Sequence, residues 1–367
     1  MIIKERFTIP IDIESVLVIQ LGDVGDVVWT TPTIWALKEV FPRARVSILI
    51  REQTAGLLAS DPSVNREFKI RYYQGSLLRE FVEQMRLIKE LRRERFGVVF
   101  DLRSDERGAF MSRLTGAPIR ASLFHKDVPF WRNEMFTHLL VEPVPPKERI
   151  FGAAEQSLRI LKGFGIDAKT TVPKLWVAPE VMERVQQILN MNSCFRRNDN
   201  GVNWITVNPF SRWSYKEWAY GKWGEMIDWL WNEHDIASVI VGAPSERSKA
   251  AELVKRCSGK VHSLVGMTTL AELAGVLSLS GLHIGVDSAA PHIAAAVGTP
   301  TVTVFGPTDW RDWAPVGDQH RVVISNMDCV PCCKKGCDGS ERSLCLDMLE
   351  VDAVKKVVRE VLEKKLR

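Results

Sequence analysis

The chain has 367 residues, 46% hydrophobic and 26% charged, with a net charge of +4. That is the composition of a globular protein long enough for two domains. So small a charge gives no basis for binding nucleic acid, and permits only weak attraction to an anionic substrate or membrane surface. No run of about 18 apolar residues marks a transmembrane helix, and residues 1–13, with Lys4, Glu5, Arg6 and Asp12 beside a proline, are unlike a secretory signal.

Residues 15–21 (SVLVIQL) form a short apolar run that ends in a glycine-containing loop, 22–29. A helical pattern follows, with Ile34, Leu37, Val40 and Phe41 on one face, and then a second strand candidate at 45–50 (RVSILI). This β-loop-α-β opening is the mark of a parallel sheet with a crossover helix. A long, basic amphipathic helix is expected over 76–95, before another strand at 98–102 (VVFDL). The junction falls near 173–179, giving a first domain over 1–176 and a second over 177–350.

The second half repeats the theme. A helix over 180–189 leads to a stretch at 190–203, rich in Asn and Arg and without periodicity, which reads as a surface loop. Strands are expected at 204–208, 237–241, 282–286 and 301–305, with helices near 222–231 and 291–297 between them. The alternation implies two doubly wound α/β domains. Residues 351–367 read as a C-terminal helix with Val351, Val354, Val358 and Leu362 on one stripe, expected to pack back on the first domain.

The richest segment is GVDSAAPHIAAAVGTP, residues 285–300. A buried strand delivers Asp287 and Ser288 to the carboxyl edge of the sheet, where open α/β folds bind ligands. Small residues then let backbone approach a ligand, and a helix start favours an anion. Simple N-capping is the competing reading for Asp287 and Ser288; His292 is either a phosphate donor or a core histidine. The loop 208–218 (NPFSRWSYKEW) follows the first strand of the same domain, and its Ser211, Arg212 and Lys216 suit phosphate oxygens. The crowded tryptophans around it read mostly as core.

The first-domain loop Gly22-Asp23-Val24-Gly25-Asp26 imitates a dinucleotide fingerprint but lacks the third glycine, and two aspartates would repel a pyrophosphate. A carboxylate there suits proton abstraction better. Asp23 reads as a cap or turn residue. Arg103, Arg107, Arg120 and Lys126 follow strand ends or loops and would suit an anionic acceptor, or are ordinary surface cations.

Four motifs in order, LGDVGDVVWTTP, PFSRWSYKEW, VGAPSE and GVDSAAPHIAAAVGTPTVTVFGPTD, resemble glycosyltransferase family 9, the lipopolysaccharide heptosyltransferases, over residues 15–351. The resemblance implies the GT-B architecture, two Rossmann-like domains facing a central cleft, with acceptor on the N-terminal domain and donor on the C-terminal one. It implies a metal-independent, inverting transfer of a heptose or related sugar from an ADP-sugar to a lipopolysaccharide core or similar glycan. On it Asp26 matches the aspartate of GDxxxTxP and is the base; Ser211 and Lys216 match donor-phosphate contacts; Asp287 matches the donor-sugar contact. Ser288 and Ala289 lie against the diphosphate with His292 behind them, and Glu246 matches a nucleoside contact. Ala289 stands where the family usually has glycine, and Ala290-Pro291 also departs from the pattern. A GT-B-shaped nucleotide-sugar epimerase and a non-catalytic nucleotide-sugar-binding protein are the alternatives.

Seven cysteines are present, five of them between Cys329 and Cys345, whereas an extracellular scaffold would spread them along the chain. A cytoplasmic monomer is expected, in peripheral contact with the inner membrane if the acceptor is lipid-linked. No cofactor is required by the expected chemistry. The pattern Cys329, Cys332, Cys333, Cys337, Cys345 admits a structural metal, reduced thiols or a local disulfide.

Overall fold

The structure, a computed structural model, describes residues 1–10, 12–71, 77–141, 152–190 and 204–366. The expected loop at 190–203 therefore lies outside the described residues, apart from Asn190 at a helix end, and so does Ser76. The chain divides into two compact units, Met1–Trp176 and Val177–Arg367.

In chain order the first unit comprises β1 (Ile2–Lys4), β2 (Ser15–Gln20), α1 (Val24–Val28), α2 (Thr31–Val40), β3 (Arg45–Arg51), β4 (Arg66–Ile70), α3 (Leu77–Arg93), β5 (Val98–Asp101), α4 (Glu106–Thr115), β6 (Ile119–Leu123), α5 (Phe130–Glu134), β7 (His138–Leu140) and α6 (Gly152–Gly163). All seven strands are parallel, in the order β1-β7-β6-β5-β2-β3-β4. Apart from β1 at the edge, this is the doubly wound order, with its switch point between β2 and β5. Every residue of β2 and β5 is buried, which is why both read as unbroken apolar runs. Of the face expected on α2, Ile34, Leu37 and Phe41 are buried, while Val40 in the last turn is exposed.

The second unit comprises α7 (Pro179–Asn190), β8 (Trp204–Asn208), α8 (Tyr220–His234), β9 (Ala237–Ile240), α9 (Arg247–Arg256), β10 (Val261–Ser263), α10 (Leu270–Leu279), β11 (His283–Val286), α11 (Ala289–Ala296), β12 (Thr301–Val304), α12 (Trp310–Trp313), β13 (His320–Val323), α13 (Leu344–Met348) and α14 (Val351–Leu366). Its six strands are also all parallel, ordered β10-β9-β8-β11-β12-β13, so the switch point lies between β8 and β11. Both faces are covered. Val181, Val185 and Leu189 of α7 pack with Val239 and Val276 on one, and Trp218, Trp223, Ile227 and Leu230 fill the other.

The last helix, expected to return to the first domain, instead buries Val351, Val354, Val358 and Leu362 in the core of the second unit. Its stripe is satisfied by α8, β12 and β13, and Lys222 ties the entry by donating to the Asp347 and Leu349 carbonyls at 2.6 and 2.8 Å. Among the described residues no helix is long and apolar enough to cross a membrane.

Candidate functional site

In the first unit two loops leave the strands on either side of the switch point. After β2, Gln20 accepts the Gly22 N–H through Oε1 at 3.1 Å, folding the chain back at once. Asp26 then turns its carboxylate onto the loop: Oδ2 accepts the Asp23 N–H at 2.8 Å and the Arg103 guanidinium at 2.8 Å. A Cβ on Gly22 would overlap that carboxylate, so the loop needs glycine for close approach. Thr30 Oγ1 donates to the Asp26 carbonyl at 2.8 Å, which ties the GDxxxT spacing to one turn of chain. Burial pushes the Asp26 carboxyl above its ordinary range; the Asp23 N–H and the Arg103 cation pull it partly back. Asp23 stands at the N-cap position of α1 and its side chain faces Arg51 at 3.4 Å.

Arg103 comes from the loop after β5, and that loop is built on a residue the sequence reading passed over. Asp101, wholly buried at the end of β5, accepts the Arg103 and Ser104 N–H groups through Oδ1 at 3.2 and 3.1 Å. Ser104 has φ +61°, a conformation costly for a residue with a side chain. It is held there by buried Arg132, which donates twice to the Ser104 carbonyl at 3.0 and 2.8 Å. Asp101 Oδ2 is buried with no hydrogen-bond partner among the described residues. Burial, with Asp105 nearby, pushes the Asp101 carboxyl up to about 7. Its signal in the sequence was a buried strand ending in an acid, VVFD, before Leu-Arg-Ser.

The Asp101 arrangement predicts a pH-dependent stability. Because its folded pKa is raised, its favourable contribution is complete below the unfolded value and is lost as pH rises through about 7. Asn copies the protonated acid. Asp101→Asn should therefore gain stability relative to the wild type as pH rises from about 4 to about 7, read as the difference in urea midpoints; a constant difference would refute it.

Of the other first-unit cations, Arg120 is committed to structure, donating to the Met135 and Ala117 carbonyls at 2.9 and 2.5 Å. Lys126 is exposed and Arg107 half-buried. Of the cations named in the sequence, Arg103 is therefore the one brought onto Asp26.

The second unit repeats the design at its own switch point. The loop after β8 carries Ser211 and Lys216, and the end of β11 carries Asp287 and Ser288. They meet: Lys216 Nζ lies 2.6 Å from Asp287 Oδ2, with side chains 18% and 8% exposed, and Ser211 Oγ reaches the Asp287 carbonyl at 3.5 Å. Glu217 fixes the loop by accepting the Ser211 N–H at 3.1 Å, and is itself held by Lys249 and Tyr220. Ser288 occupies the N-cap position of α11 without making a cap hydrogen bond, and its buried hydroxyl has no partner among the described residues. Capping thus does not account for Ser288. Ala289 opens α11, so its N–H is one of the helix's unsatisfied donors.

His292, one turn into α11, is buried; burial, against the Asp287 charge, lowers its pKa to about 4. A neutral ring at physiological pH can orient its neighbours but cannot neutralise a phosphate. Glu246 sits in a short turn after β9, where Oε2 accepts the Ala243 N–H at 2.6 Å and burial raises its pKa. Asp309, in the turn after β12, is spent on Arg311 at 2.6 Å. Among the tryptophans, Trp204, Trp218, Trp223 and Trp229 are core, but Trp213 is exposed beside Ser211 and stacks on Tyr215.

Cys329, Cys332 and Cys337 lie near enough to Cys345 to help burial raise its thiol to about 11. All five thiols of this segment are free. Among the described residues no group of three or more His, Cys, Asp or Glu side chains is arranged to hold a metal.

Two doubly wound α/β units, each with its candidate side chains at the switch point of its sheet, form the GT-B architecture. The model of glycosyltransferase family 9 (heptosyltransferase) matches residues 84–341. Lipopolysaccharide heptosyltransferase 3 of Escherichia coli is 30% identical over 298 residues, covering 79% of this chain and 84% of the relative. The chain belongs to glycosyltransferase family 9. Among solved structures, a family 9 glycosyl transferase from Veillonella parvula superposes with a TM-score of 0.80 at 20% identity, covering 97% of this chain and 99% of that one. E. coli heptosyltransferase WaaC with ADP-2-deoxy-2-fluoro heptose gives 0.69 at 19% identity, covering 94% and 99%.

Proposed function

We propose that this protein is an inverting glycosyltransferase that moves a heptose from an ADP-sugar onto a lipopolysaccharide-core acceptor. The observation that carries the reading is the meeting of Lys216, Ser211 and Asp287 beside the start of α11, in a chain similar to lipopolysaccharide heptosyltransferase 3 over 298 residues. Asp26 takes the proton of the acceptor hydroxyl. That oxygen attacks the anomeric carbon as the bond to the diphosphate breaks, so one displacement inverts the centre. The departing diphosphate gains negative charge facing the Lys216 ammonium, the Ser211 and Ser288 hydroxyls and the first amides of α11. Asp287 is assigned to the donor sugar, Glu246 to the nucleoside, Ala289 to the backbone against the diphosphate, and His292 to the support behind it.

Incubating the protein with ADP-heptose and a truncated lipid A–core acceptor tests the assignment. Glycosylated acceptor with inverted configuration is the expected product; an isomerised nucleotide sugar formed without acceptor would replace the reading by an epimerase. No step is routed through a metal, so removing metal ions with a chelator should leave the transfer rate unchanged, and a rate restored only by added metal would oppose this. The cytoplasmic face of the inner membrane is the proposed setting, since the acceptor is lipid-linked there.

A further inference from the structure

The helix α3 (Leu77–Arg93) turns an unusual face to solvent. Leu78, Phe81, Val82 and Met85 are spaced i, i+3, i+4, i+7 and so share one side of the helix. They are 75%, 62%, 41% and 48% exposed. The opposite side is the one used for folding, with Leu87 and Leu91 buried against Phe68, Phe96 and Val99. The apolar stripe is thus not needed to hold the helix to its sheet.

The next two turns of the same outward face carry Lys89, Arg92 and Arg93, all exposed, and Arg79 and Arg86 flank the stripe. The helix acids lie off this face: Glu80, Glu83 and Glu90 are half-buried, Glu83 pairs with Arg86 at 2.8 Å and Glu90 with Arg66 at 2.5 Å. The result is one surface with four exposed apolar side chains and a basic margin whose neighbouring acids Glu83 and Glu90 are each paired with an arginine.

We propose that the outward face of α3 docks on an anionic phospholipid bilayer, Leu78, Phe81, Val82 and Met85 entering the headgroup boundary while Lys89 and Arg93 meet lipid phosphates. A polar helix that buries one apolar stripe in the interface and is held there by basic residues has this composition. A second protein copy would leave five cations facing their own kind, which disfavours self-association through the same face. The position is apt. The strands are parallel and α3 runs back against them, so its apolar end lies toward the sheet edge that carries Asp26 and Arg103. This deepens the reading of a lipid-linked acceptor and rests on it for its purpose, while the helix face is evidence independent of the transfer chemistry.

Vesicle co-sedimentation of the full chain provides the test. Binding is expected to mixed phosphatidylglycerol–phosphatidylcholine vesicles, to weaken with salt, and to be absent from pure phosphatidylcholine. Lys89→Gln/Arg93→Gln should weaken it about twenty-fivefold, at roughly fivefold per charge, and Phe81→Ser/Met85→Ser by about tenfold or more. Both variants alter exposed positions, so unchanged melting curves and unchanged transfer to a delipidated soluble acceptor are expected. No vesicle binding by the wild type, or equal binding by both variants, overturns the proposal. Concentration-dependent dimerisation lost in Phe81→Ser/Met85→Ser, without vesicle binding, overturns it in favour of a second copy. Absent transfer with intact vesicle binding would instead count against the enzymatic reading alone.

Discussion

Asp26→Asn should lower kcat by about 10²–10⁴-fold, the span that a positioned general base contributes, with donor affinity and melting temperature little changed. The isosteric change is informative because of how the carboxylate is held. Both hydrogen bonds to the described protein, from Asp23 N–H and Arg103, fall on Oδ2. An Asn carbonyl can accept the same two. On the proposed assignment Oδ1 is left to receive the acceptor proton, and an amide nitrogen in its place cannot. The lost pair with Arg103, whose side chain is 40% exposed, contributes little to stability. Near-normal turnover of Asp26→Asn would remove the base assignment.

The same site fixes the direction of a pH effect. On the proposed assignment the base works as a carboxylate, so activity should fall as pH drops through the Asp26 pKa, which burial has raised above the ordinary 3.8. Arg103 lowers that pKa. Arg103→Ala should therefore move the acid limb of kcat/KM to higher pH, and an unmoved or lowered limb would separate Arg103 from the base. Asp101 enters through its grip on the Arg103 and Ser104 amides.

What could be read in the sequence followed burial. The strands β2, β3, β5, β8, β9, β11 and β12 occupy the middle of the two sheets; most are buried at every position and appear as apolar runs. The strands that escaped notice lie toward the outside: β1 and β4 at the edges of one sheet, β10 and β13 at those of the other, with β7 beside β1 and β6 next to β7. REFKI in β4 and HRVV in β13 carry charges because one face or edge meets water. Ser211, Lys216, Asp287 and Ser288 stood out as candidates because each follows a central strand, and Asp26 chiefly because its motif resembles the family's GDxxxTxP. That Lys216 and Asp287 form one pair was not, because 71 residues separate them and only the folded sheet brings β8 beside β11. Asp101 was hidden differently: its part is played through backbone amides, which no residue pattern displays.

Lys216→Ala is expected to do two things at once. It removes the cation proposed to face the departing diphosphate, for which a loss of about 10²–10³-fold in kcat is expected by analogy with deleting one preorganised donor. It also leaves the Asp287 carboxylate, 8% exposed, without its partner at 2.6 Å. Breaking such a buried pair costs about 3–5 kcal/mol, since the remaining charge is desolvated and unmatched, so the melting temperature should fall as well. The two effects can be parted. Removing both charges from a buried pair is often nearly neutral for stability, and Lys216→Met/Asp287→Asn should therefore recover most of the lost melting temperature. It should not recover the rate, because the leaving group still meets no cation. If the double variant regains activity along with stability, neither the Lys216 cation nor the Asp287 carboxylate is needed for transfer, and the diphosphate must be met by the α11 amides and the hydroxyls of Ser211 and Ser288.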